Sequence, residues 1–171
     1  MEKSILITEF AMMKKLVLLL LAATPGLAAE PLDLLTASDL ATFENPAADA
    51  RIHYGEQSLQ FADLRVPAGD GPHPVVVFIH GGCWLSEYDI SHSSALTAAL
   101  AKEGIATWSL EYRRVGDTGG GWPGTFEDVA QGADHLRSIA AEYKLDLDRV
   151  IAMGHSAGGH LALWLAARAR I

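Results

Sequence analysis

One cysteine, Cys83, stands among the 171 residues. That excludes an internal disulfide and leaves stability to packing. Positive charge is also scarce, with 13 Lys and Arg against 21 Asp and Glu and a formal charge of -8. The basic residues are scattered, which argues against a nucleic-acid or anionic-membrane surface and favours small uncharged partners. HxxxH and paired-cysteine spacings are missing, so neither a metal nor another cofactor is expected. No apolar run reaches the roughly 20 residues that a stable membrane span needs. Repeats, heptads and long low-complexity segments are absent too. What remains is a chain that is 50% apolar, enough for one globular domain with a core.

The first 29 residues carry a different message. From Met13 the sequence runs MKKLVLLLLAATPGLAAE: two lysines, a short apolar run, a Pro-Gly break and small residues before a cleavage point after Ala28 or Ala29. This is the layout of a secretory signal peptide, with Met13 a better start than Met1. The expectation is a periplasmic or extracellular protein. Removing residues 1–29 leaves 10 basic and 19 acidic side chains. Residues 30–50 read as a lead-in to the domain proper, residues 51–171.

There the pattern alternates between strand and helix. Residues 51–54 and 59–66 look like an antiparallel pair around Gly55. Residues 74–79, PVVVFI, form a near-continuous β-branched run, the pattern of a strand buried on both faces. A helix fills residues 94–102, closed by Gly104, and residues 105–112 form the next strand. The stretch VGDTGGGWPG is a loop. A helix then starts at Thr125, with Asp128 at capping-box spacing, and residues 149–153 form another short buried strand. Leu161, Trp164, Leu165 and Ala169 mark the apolar stripe of a last helix. Such alternation implies βαβ crossovers and an α/β fold, a mostly parallel sheet with flanking helices.

Two motifs carry chemistry. Gly154-His155-Ser156-Ala157-Gly158, followed by Gly159, matches G-x-S-x-G between a strand and a helix, the context of a nucleophile elbow. The turn lifts the Ser156 hydroxyl to the carboxyl end of a strand, where open α/β sheets bind ligands. The amide of Ala157 there meets any developing oxyanion at the positive end of the helix. The second motif, His80-Gly81-Gly82-Cys83-Trp84, directly follows the strand 74–79. A glycine-rich loop at that point lets backbone N–H groups approach an oxyanion unobstructed. His80 reads as a loop-organising side chain. Cys83 reads as a small inert apolar residue rather than a catalytic thiol. Trp84, Trp122 and Tyr88 either line an apolar pocket or pack within core and loops, and the second reading is preferred.

These two motifs, with Glu111-Tyr112-Arg113-Arg114 and Gly121-Trp122-Pro123-Gly124 between them, resemble the α/β-hydrolase superfamily, in its esterase/lipase and arylformamidase (kynurenine formamidase)-like branches. The resemblance spans residues 51–171. It implies the N-terminal part of an α/β-hydrolase fold, with Ser156 as nucleophile and Gly82, Cys83 and Ala157 as oxyanion-hole donors. It implies a small-molecule ester or amide as substrate. By the same resemblance Arg113 and Asp128 form an ion pair beneath the loop, with surface placement of either equally open.

After Ser156 the chain reads AGGHLALWLAARARI, without an Asp or Glu. The superfamily places its acid and then its histidine after the serine. His160, four residues on, sits on the helix of the elbow and is expected to pack there. Nothing in their spacing singles out His53, His73, His92 or His135. The last strand–helix units are also missing, so the expectation is a truncated reading frame, ahead of a split enzyme or a short non-catalytic binding domain. An exported serine hydrolase of the carboxylesterase type leads, ahead of an amidase or arylformamidase of the same fold.

Overall fold

Val75, Val76, Val77, Phe78 and Ile79 are all buried in the computed structural model, as a strand enclosed on both faces requires. The structure describes residues 42–168 together with Thr36 and Asp39; the leader and Ala169 lie outside the described residues. The buried run belongs to β3 (His73–Ile79), inside a five-stranded sheet ordered β1–β2–β4–β3–β5. Burying each such side chain is worth roughly 1.5–3 kcal/mol. The other strands are β1 (Ala50–His53), β2 (Phe61–Arg65), β4 (Ala106–Leu110) and β5 (Leu145–Gly154). As expected, β1 and β2 pair antiparallel. β2 also meets β4 antiparallel, whereas β4, β3 and β5 run parallel.

Among the described residues three α-helices accompany them: α1 (Ser94–Lys102) and α2 (Gly124–Ile139) lie between strands, and α3 (Ala157–Ala167) follows β5. Neighbouring residues on β4 show how they are layered. Thr107 Oγ1 donates to the Thr97 carbonyl of α1 at 3.4 Å, and Trp108 Nε1 donates to the Gly132 carbonyl of α2 at 2.8 Å. Consecutive strand residues face opposite ways, so α1 and α2 cover opposite faces. α3 joins the α2 side, with Trp164 edge-on to Phe126 at 5.0 Å and Leu161 in the core with Trp108 and Leu110.

Register fixes the functional end. Ile79 pairs with Leu110 on one side and with Gly154 on the other. The three parallel strands therefore end level, which brings the segments after them, from His80, Glu111 and His155, to one edge of the sheet.

Two expectations are corrected. β5 is longer than residues 149–153 and is not a buried strand. Arg149, Val150, Ile151 and Met153 are exposed, because β5 pairs only with β3 among the described strands and its outer side carries none. Thr125 does not cap α2. The helix begins at Gly124 behind Pro123 with no side-chain cap. The Thr125 hydroxyl instead donates to the Arg113 carbonyl at 2.5 Å, and Asp128 turns to Arg113. A sequence spacing cannot see that a nearby guanidinium outcompetes a helix terminus for the carboxylate.

Candidate active site

Ser156 occupies the turn between β5 and α3 with φ 53° and ψ -125°. That conformation costs a non-glycine residue on the order of 1–3 kcal/mol and persists only when its surroundings enforce it. The enforcement is close packing. A Cβ on Gly158 would land on the carbonyl oxygens of Ile79 and His80, so the first turn of α3 runs directly against the end of β3. The helix ties back to the turn through Gly158 N–H to the His155 carbonyl, 2.9 Å, and His160 N–H to the Ser156 carbonyl, 3.1 Å. Ala157, the first helical residue, has an amide with no acceptor inside the helix. Ser156 is exposed, and nothing among the described residues hydrogen-bonds to its hydroxyl.

The loop after β3 is organised from below. The His80 ring is fully buried and stacks on Tyr112 with centroids 4.3 Å apart. Its Nε2 lies 2.9 Å from Glu111 Oε1 and its Nδ1 lies 2.8 Å from the Gly81 carbonyl. In a planar trans peptide the carbonyl and the next N–H point opposite ways. Tethering the Gly81 carbonyl to the buried ring therefore turns the Gly82 N–H away from it. Cys83 and Trp84 follow with φ of 53° and 59°, and Leu85 N–H closes the turn onto the Gly82 carbonyl at 2.9 Å.

Glu111 holds more than His80. Its Oε2 accepts from the Ile90 amide at 3.0 Å, its Oε1 accepts from the Tyr112 amide at 3.0 Å, and Arg114 Nη1 lies 3.3 Å from Oε1. The Tyr112 hydroxyl donates to the His80 carbonyl at 2.8 Å. Burial, and then the Glu111 charge, push this phenol upward, so it stays a donor. Arg113 and Asp128 do form a buried pair under the adjoining loop, the first of the two placements the sequence left open.

A cavity of about 500 Å³ opens beside the serine, lined by Gly82, Cys83, Tyr88, His92, His155 and Ser156, with Phe43, Glu44, Asn45, Ser91 and Ala95 around them. Cys83 is exposed here, not buried as an inert apolar cysteine usually is. Tyr88 reaches this cavity. Trp84 instead meets His160 edge-on at 5.5 Å, and Trp122 meets Phe126 at 4.9 Å. Neither tryptophan is buried, Trp122 being 75% exposed, so the core-packing reading is corrected: their ring contacts lie at the surface, as does the exposed His160. His53 and His135 sit against Phe61 and Trp108. Sequence reasoning passed over His92, which lies 2.9 Å from His155 across 63 residues of chain. Among the described residues no group of His, Cys, Asp and Glu is arranged to hold a metal ion.

A strained serine on a strand-to-helix turn beside a cavity is an arrangement suited to acyl transfer. The BD-FAE family model matches residues 62–170. The chain is 34% identical over 121 residues to a probable isoprenylcysteine alpha-carbonyl methylesterase of Arabidopsis thaliana, covering 70% of this chain and 25% of that one. It is 29% identical over 114 residues to Esterase LipC of Mycobacterium tuberculosis, covering 66% and 28%. It thus spans about a quarter of the length of these curated relatives. Among solved structures, a bacterial heroin esterase superposes with a TM-score of 0.65 at 26% identity, over 78% of this chain and 43% of that one. A truncated carbohydrate esterase from gut microbiota gives 0.60 at 28%, over 70% and 45%.

Proposed function

The chain belongs to the BD-FAE family and has the α/β-hydrolase fold of esterases, and we propose that it acts as a serine hydrolase of carboxylic esters with Ser156 as nucleophile. The observation that carries this reading is the strained Ser156 backbone at the mouth of the cavity, a cost that a simple connecting turn has no reason to bear.

In the proposed reaction a general base removes the Oγ proton as the oxygen bonds to the ester carbonyl carbon. The carbonyl oxygen takes up the negative charge, met by the amides of Gly82, Cys83 and Ala157. Collapse of the tetrahedral intermediate breaks the bond to the alcohol, which leaves with a proton. Water then releases the acid and restores the serine. His80, Gly81, Trp84, Gly154, His155, Gly158 and Gly159 support the two loops. The base and its orienting acid belong to the proposed complete site. Without them, residual catalysis on the order of 10³–10⁴ over water is all that oxyanion stabilisation and binding provide.

Hydrolysis of an aryl ester by the complete protein, as wild type and Ser156→Ala, tests the reading. Loss of ester turnover in the variant, with N-formyl aryl amides turned over more slowly than esters by wild type, is the expected result. Equal turnover by the two proteins refutes the serine role. The proposal includes export, which predicts a mature N-terminus at Ala29 or Glu30 by intact mass.

A further inference from the structure

His155 and His92 meet through their Nε2 atoms at 2.9 Å, with rings edge-on at 5.1 Å. Two neutral imidazoles can make this contact only if one donates Nε2–H and the other presents a bare Nε2. Backbone hydrogen bonding at Asp89 favours a protonated His92 ring. A proton on Nδ1, the nitrogen turned away from His155, is taken as part of the proposal below. His92 is then the acceptor and His155 the donor.

The position of His155 matters because of what it touches. A Cβ on Gly81 would lie 2.6 Å from His155 Cε1 and 2.7 Å from the His155 carbonyl oxygen. Ring and backbone of His155 therefore rest directly on the loop that carries Gly82 and Cys83. At the other end, His92 belongs to the short turn Ile90–Ser93, whose first amide is held by Glu111 Oε2. That carboxylate also anchors His80 beneath the same loop.

We propose that His92 is a positioning residue for the Ser156 site: by accepting the Nε2–H of His155 it presses that ring on Gly81 and sets the spacing between the serine turn and the glycine loop. The functional part of this inference rests on the serine-hydrolase reading; the geometric part does not. Acid undoes the latch, since a second proton on His92 puts hydrogen on both facing nitrogens. The groups around the pair are the His80 ring, 5.8 Å from His92, Asp89 on the same turn, Glu111 behind Ile90, and Glu44 and Cys83 lining the same cavity. Burial first, and then His80 and His155, hold His92 below the ordinary histidine range, so the latch is closed at neutral pH.

The test uses the full chain, as wild type, His92→Phe and His92→Gln, the last retaining an acceptor for His155. Imidazole nitrogen NMR is expected to show the Nδ1–H tautomer for His92 and Nε2–H for His155. The Gly81 and Gly82 amide signals are expected to move in His92→Phe, to return in His92→Gln, and in wild type to follow the His92 titration. The opposite tautomers, or Gly81 and Gly82 signals indifferent to His92→Phe, overturn the proposal. Labelling of Ser156 by a fluorophosphonate adds the functional arm. We expect a roughly fivefold slower rate in His92→Phe, the factor matching one lost hydrogen bond of ordinary strength, with recovery in His92→Gln. Equal rates in a wild type and His92→Phe that both label Ser156 overturn the positioning role. Labelling that survives Ser156→Ala instead refutes the serine reading and leaves the NMR result to decide the latch.

Discussion

Asp128, fully buried on α2, takes three hydrogen bonds from Arg113: main-chain N–H to Oδ2 at 2.9 Å, Nε–H to Oδ2 at 2.7 Å and Nη2–H to Oδ1 at 2.6 Å. Gln60 adds a fourth, Nε2–H to Oδ1 at 2.7 Å. One carboxylate thus joins the approach to β2, the segment after β4 and the start of α2. Removing one member of a buried pair strands the other charge, at a cost of about 3–5 kcal/mol. Asp128→Ala is expected to lose stability of that order in urea unfolding, and the double variant Arg113→Met/Asp128→Leu to recover part of it.

The contact between α3 and β3 yields a second prediction. Because a Cβ on Gly158 would strike the Ile79 and His80 carbonyls, Gly158→Ala forces the helix off the sheet. Overpacking of this kind costs about 1–3 kcal/mol. The loss is expected in Tm, along with a changed Ser156 amide signal, whereas Ala166→Gly on the exposed side of α3 leaves that signal in place.

Stability also responds to pH through His92. Burial, then the neighbouring His80 and His155, lower its folded-state value from 6.5. The unfolded chain therefore binds this proton more readily, and stability rises with pH through the window below 6.5. The His92 contribution is complete above that window and lost as pH falls through it. Tm measured from pH 5 to 8 is expected to decline on the acid side in wild type and to decline less in His92→Gln.

The outer side of β5 exposes Val150, Ile151 and Met153, and Leu163 of α3 is 75% exposed. An apolar strand edge of this kind is a template for association. Ile151→Lys is expected to raise the solubility of the 171-residue chain and to lower its binding of a hydrophobic dye. Unchanged values of both contradict this view of the edge.

How much of this was written in the sequence depends on how local each feature is. The helix expected over 94–102 and closed by Gly104 spans those residues, and PVVVFI fell one residue short of β3 because His73 is also buried in the strand. The turn at Ser156 and the loop at His80 were legible because glycines at fixed offsets mark close backbone approach. The pairs that join them were not. Glu111 and His80 are 31 residues apart, His92 and His155 63 apart, and no periodicity links residues brought together by strand register alone. The exposure of β5 escaped for a related reason: an apolar run reveals that a strand can be buried, not that a neighbour covers it.

The most direct test of the account is intact-mass and peptide-mapping analysis of the folded protein after exposure to a fluorophosphonate, with urea-unfolded protein alongside. A single adduct on Ser156, formed by the folded protein and not by the unfolded one, is the predicted result. No adduct, or an adduct elsewhere, contradicts the assignment of Ser156 as the nucleophile.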